Sequence, residues 1–183
     1  MKAKSIFLIT AIALGSMMLK AQIYMGKTCD ISFFSKGPIE DIYGIEHDAK
    51  PIYKASDGTV AIKIAIKSFK FDSKLMEEHF NEKYMESDKY PWATFTGKVN
   101  EPFDVKKDGV YNITVTGKLN VHGVDQTRTI PGTVTVKGGE ISFDSKFPLA
   151  LKDHKIEIPT LVAQNIAEVQ EITVKALLNE VKK

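Results

Sequence analysis

The chain has 183 residues, 43% hydrophobic and 26% charged, with a formal net charge of +2 and one cysteine. That length fits one domain with a sizeable core. There is no basic cluster and the aromatics are interleaved with acids, which excludes a nucleic-acid partner. The single cysteine excludes a small disulfide-framed secreted domain.

The first element is "MKAKSIFLITAIALGSMMLKAQ". Lys2 and Lys4 precede an uncharged, mostly apolar run from Ser5 to Leu19, and Ala21 offers a small residue at a cut. This pattern predicts a signal peptide over 1–21 and export, and export with one spare thiol fits a bacterial periplasm or cell surface. The run is shorter than the roughly 20 residues of a spanning helix, and no later segment is long and apolar enough to span. Cleavage after Ala21 leaves 22–183 as one domain. It removes Lys2, Lys4 and Lys20 and takes the formal charge from +2 to −1. Cys29 is expected to be a buried free thiol.

The mature chain is dominated by period two, which predicts long strands with one apolar face. Short strands fit near 29–35 and 93–100. In "TVAIKIAIK" Val60, Ile62, Ile64 and Ile66 share a face, with Lys63 opposite. After Ser68 the phase shifts to Phe69 and Phe71, so a bulge is expected near Ser68. Residues 73–86 break the pattern. Leu75, Met76, Phe80, Tyr84 and Met85 are spaced for one side of a helix of about three turns, with Glu77, Glu78 and Glu82 toward the other. Ser73 is the expected cap, and Pro91 stops any continuation.

Alternation resumes with Tyr111, Ile113, Val115, Leu119 and Val121. It continues through Ile130, Val134 and Val136, a Gly138–Gly139 hairpin signal, then Ile141, Phe143, Phe147 and Leu149. Ile172, Val174, Ala176 and Leu178 form the last strand. Long sequential strands favour an up-and-down barrel, with the apolar face inside. Ala61, Ala65, Gly117, Gly132 and Ala150 offer slack in its interior, which Phe143 and Phe147 take up.

Signs of catalysis are lacking. His47, His79, His122 and His154 are scattered, with no HExxH, and one cysteine makes no zinc framework. There is no G-x-S-x-G elbow and no glycine-rich phosphate loop. No cofactor or metal is implied. "NVHGVDQTRTIP" places His122 and Arg128 beside a turn, where they are candidates for contact with a ligand head group.

The segment "AIKIAIKSFKFDSKLMEEHFNEKYMESDKYPWATFTGKV" resembles the strand–helix–strand core of the YceI-like family. His79–Phe80, Tyr84–Met85–Glu86 and Tyr90–Pro91 carry that likeness. "VTGKLNVHGVDQTRTIP" and "FPLALKDHKIEIP" resemble its later strands. The likeness runs from about Asp30 to Leu178, and the helix version is similar to a Bacteroidetes-type branch. Where many members carry Arg-Asp before the histidine, this chain has Met76–Glu77.

The resemblance implies a mainly β, lipocalin-like barrel of eight antiparallel strands, holding an apolar lipid such as a polyisoprenoid. Its wall would include Ile62, Ile64, Ile66, Phe69, Ile113, Val115, Val134, Phe143 and Ile172, with Met76, Phe80 and Tyr84 on the helix. A periplasmic carrier is the leading expectation. An enzyme using the barrel as an apolar chamber around His79 or His122, or a filled-barrel stress or interaction protein, is the alternative. A homodimer is left open.

Overall fold

The computed structural model describes residues 22–37, 41–158 and 166–182. The expected signal segment, 1–21, lies outside the described residues. Nine strands follow in order: β1 Ile23–Ser35, β2 Ile42–Glu46, β3 Ile52–Lys54, β4 Thr59–Ala65, β5 Trp92–Val99, β6 Gly109–Val121, β7 Val124–Lys137, β8 Glu140–Ala150 and β9 Val169–Glu180. All neighbours are antiparallel, and β9 returns to pair with β1. The sheet therefore closes on itself as a barrel.

The ring holds eight positions, because β2 and β3 share one. Glu46 pairs with Ile31, and Ile52 with Met25. Both pairings lie on the same register line, so this is one strand interrupted at 47–51. Gly26 N donates to Pro51 O across the interruption at 2.8 Å. A Cβ on Gly26 would come within 2.5 Å of the Pro51 ring, so glycine is needed at that approach.

The sequence pattern does not signal this broken strand. Its inward positions are Ile42, Gly44 and Glu46, while Tyr43 faces out. Polar or absent side chains inside and an aromatic outside invert the usual alternation.

Elsewhere period two maps onto the wall. Ile113, Val115, Val134, Ile141 and Leu178 are buried, and Lys63, Asn112, Asp144 and Lys175 are exposed. The β6–β7 and β7–β8 hairpins each turn on two residues with positive φ, His122–Gly123 and Gly138–Gly139. Two left-handed residues match the twist of tight hairpins.

Two local expectations need correction. No bulge forms near Ser68. Instead β4 stops at Ala65 and Ile66–Ser68 make a 3-10 turn, which shifts the phase so that both Ile66 and Phe69 are buried. Leu75 does not join the packed side of the helix and is 58% exposed.

The helix, α1, runs Lys74–His79 and widens into a π turn over Phe80–Tyr84. Ser73 occupies the cap position, but its side chain makes no capping bond. The connection back into the sheet is held by Ile66 N donating to Pro91 O at 3.0 Å.

Candidate functional site

The barrel encloses a cavity of about 450 Å³, within the roughly 300–1,000 Å³ typical of small-molecule sites. It runs from the far end, at Tyr53 and Phe103, to the end covered by α1, at Met76, Phe80 and Tyr84. The wall is built by the inward half of each strand's alternation. β4 supplies Val60, Ile62 and Ile64, and the turn after it Ile66 and Phe69. β6 supplies Ile113, Val115 and Leu119; β7 Ile130 and Val134; β8 Phe143 and Phe147; β9 Ile172 and Val174. All twelve residues expected on the lipid path therefore lie on one surface.

The two ends are lined differently. At the far end Tyr24, Tyr53, Phe103 and Tyr111 follow one another, with ring centroids 6.3, 5.3 and 5.6 Å apart. Tyr24 is 2% exposed. At the helix end Phe80 packs among Phe33, Phe69 and Phe71 at 4.9–5.5 Å. Gly44 makes room for this cluster. A Cβ there would meet the Phe33 ring at 2.5 Å and Phe71 at 2.9 Å.

Gly132 does not leave open space. The Phe143 ring fills it, lying 2.3 Å from where a Cβ would stand.

His122 and Arg128 do not line the cavity. His122 is 8% exposed, and its Nε2 lies 3.0 Å from Glu86 Oε2. Its Nδ1 lies 3.2 Å from His154 O, and its ring is 4.4 Å from Tyr90. These contacts tie the end of the helix to the β6–β7 hairpin and to the 3-10 turn Leu151–His154. Glu86, His122 and Lys155 all carry positive φ in this knot. Arg128 donates to Pro148 O at 2.6 Å and faces Asp153 at 3.8 Å. Both candidates hold the barrel end together.

Burial pushes several ionisable groups toward neutrality. Burial, then Glu46 and Asp30, push the Cys29 thiol up to about 12. Burial raises the Glu46 carboxyl and lowers the His154 imidazole. Burial also raises the Tyr53 and Tyr84 phenols on the wall. Desolvation disfavours each charged form.

Among the described residues, the wall carries no Asp, Glu, Lys, Arg or Cys, and His79 is its one imidazole. Sequence reasoning missed four polar wall residues, Ser32, Ser35, Ser145 and Gln170. Among the described residues, no group of three His, Cys, Asp or Glu could hold a metal ion.

The YceI-like domain family model matches residues 31–178. A polyisoprenoid binding domain from Saccharophagus degradans, implicated in plant cell wall breakdown, superimposes with a TM-score of 0.74 at 15% identity, covering 86% of this chain and 98% of that one. BcnA of Burkholderia cenocepacia gives 0.68 at 20% identity, covering 81% and 95%. The YCEI protein of Campylobacter jejuni gives 0.57 at 18% identity, covering 76% and 85%. A comparison with curated proteins finds no match. The matched span takes in most of the barrel and the whole of α1, and the chain belongs to the family of YceI-like domains.

Proposed function

We propose that this protein binds one long apolar lipid, a polyisoprenoid or a chain of similar girth, inside the barrel and carries or stores it after export. The carrying observation is the cavity running the length of the barrel, uncharged among the described residues, with aromatics at one end and a flexible residue, Met76, with Phe80 and Tyr84 at the other. Leaving such a space empty is costly. At roughly 24 cal/mol per Å³ of cavity, the forgone packing is on the order of 10 kcal/mol. A chain that fills it recovers contacts along its length, at roughly 0.8 kcal/mol per buried CH₂ before ordering costs. Methionine suits a rim that repacks around variable chains.

The polyisoprenoid-binding description of the Saccharophagus degradans domain supports the same ligand class. Binding needs no catalytic group, and among the described residues the wall offers no acid, amine or thiol beside His79. A cavity of this size also counts against a filled barrel. The leader-like N-terminus supports a periplasmic site of action.

The test is titration of the purified mature chain with a fluorescent prenyl probe. Saturable one-to-one binding, displaced by unlabelled prenyl chains, is expected. No saturable binding overturns the reading.

A further inference from the structure

The cavity wall is apolar except at a few places, and one of them is incomplete. Gln170 stands near the start of β9 and is 5% exposed. Its Nε2 donates to Ala167 O at 2.6 Å, which fixes the orientation of the amide. Among the described residues its Oε1 then faces no donor, and it is one of the buried side-chain oxygens without a partner.

Ser35 stands opposite. Phe34 pairs with Glu171, so the next inward pair in register is Ser35 with Gln170. Ser35 is 1% exposed, and its Oγ accepts from Ala167 N at 3.0 Å. That bond uses a lone pair and leaves the hydroxyl proton to be donated. Two side chains anchored on the same residue thus hold one acceptor, itself buried, and one donor at the cavity wall. Both line it.

A buried amide oxygen left without a donor costs free energy, and an apolar wall gives it none. We infer that Ser35 and Gln170 form a subsite for the polar terminus of the ligand, and that this terminus is a neutral hydroxyl. A hydroxyl donates to Gln170 Oε1 and accepts from Ser35. A phosphate or carboxylate fits poorly. It would set lone pairs against Oε1 and bury charge where the described wall has no Lys or Arg to pair with it. The subsite lies at the helix-covered end, so the chain enters tail first and its hydroxyl stays near the mouth. This inference rests on the lipid-binding reading and adds the chemistry of the head.

The test compares three probes with one chain: geranylgeraniol, its methyl ether and its diphosphate. Each is titrated into the wild-type mature protein and into the Gln170→Met and Ser35→Ala variants. The wild type is expected to prefer the alcohol to the ether by about tenfold, the effect of one buried hydrogen bond. Gln170→Met is expected to abolish that preference while keeping affinity for the ether. Ser35→Ala is expected to weaken alcohol and ether alike, since both accept.

Equal wild-type affinity for alcohol and ether overturns the subsite and leaves lipid binding standing. Tighter binding of the diphosphate also overturns it and turns attention to His79. Failure of all three probes to bind overturns the lipid-binding reading, and the subsite with it. The wild-type comparison needs no variant to fold.

Discussion

Phe80, at the start of the π turn that follows α1, lies stacked on Phe33 of β1, with ring centroids 5.4 Å apart and planes 14° from parallel. The helix is thus held over the barrel mouth by the ring that also forms part of the cavity wall. Phe80 is only half-buried. Phe80→Ala is expected to cost about 2 kcal/mol, below the roughly 3–5 of a fully buried phenylalanine. Ligand dissociation should speed up by more than that loss of stability explains, because the mouth loses its cover. Stopped-flow release of a prenyl probe, set beside urea unfolding, checks this. Unchanged release from the folded fraction would make the helix an ordinary packing element.

Gly132 of β7 is filled by the Phe143 ring of β8. Gly132→Ala is expected to push that ring inward, since the added Cβ would meet its Cε2 at 2.3 Å. Overpacking of this kind costs about 1–3 kcal/mol. Affinity for a bulky prenyl chain should fall more than affinity for a slim saturated one, measured by titration of both. Equal losses would show that Phe143 has shifted along the wall and left the cavity unchanged.

These two aromatics show what the sequence could and could not carry. Alternation in "YNITVTGKLNV" and "EITVKALL" places Ile113, Val115 and Ile172 inside because a pleated strand has no other way to sort side chains. The helix face was legible for Met76, Phe80 and Tyr84 by the same kind of spacing. The strand at 42–54 was not, since Gly44 and Glu46 occupy its inward positions and Pro51 interrupts it. Gln170 was hidden too. A glutamine one place beyond an alternating apolar run looks like a strand end. Only the register that sets it opposite Ser35 gives it a role. His122 and Arg128 flank a turn in sequence, and nothing local says that Glu86, His154 O and Pro148 O will claim them.

The Cys29 thiol is 0% exposed and pushed up to about 12. At pH 8 such a group holds about one thiolate in ten thousand, against roughly one in four for a free cysteine. Alkylation by iodoacetamide is expected to be at least about a thousandfold slower in the native protein than in urea. Rapid native labelling, read by mass shift, would contradict the buried placement.

Burial, the main cause, holds the His154 imidazole below its usual value. The unfolded chain takes up a proton near pH 6.5 that the folded protein refuses. This group's stabilising contribution is therefore full above about pH 6.5 and shrinks as pH falls below it, by at most about 1.4 kcal/mol per unit. His154→Gln is expected to flatten the stability curve between pH 5 and about 6.5. Chemical unfolding of both proteins across that range checks it, and parallel curves would contradict it.

Native mass spectrometry of the mature protein, purified without detergent from an exporting host, tests lipid binding most directly. The account predicts a population heavier than the bare chain by one lipid. Solvent extraction should release that lipid as a neutral, long-chain molecule. A single species at the mass of the bare polypeptide, unchanged after incubation with prenyl alcohols, would contradict it.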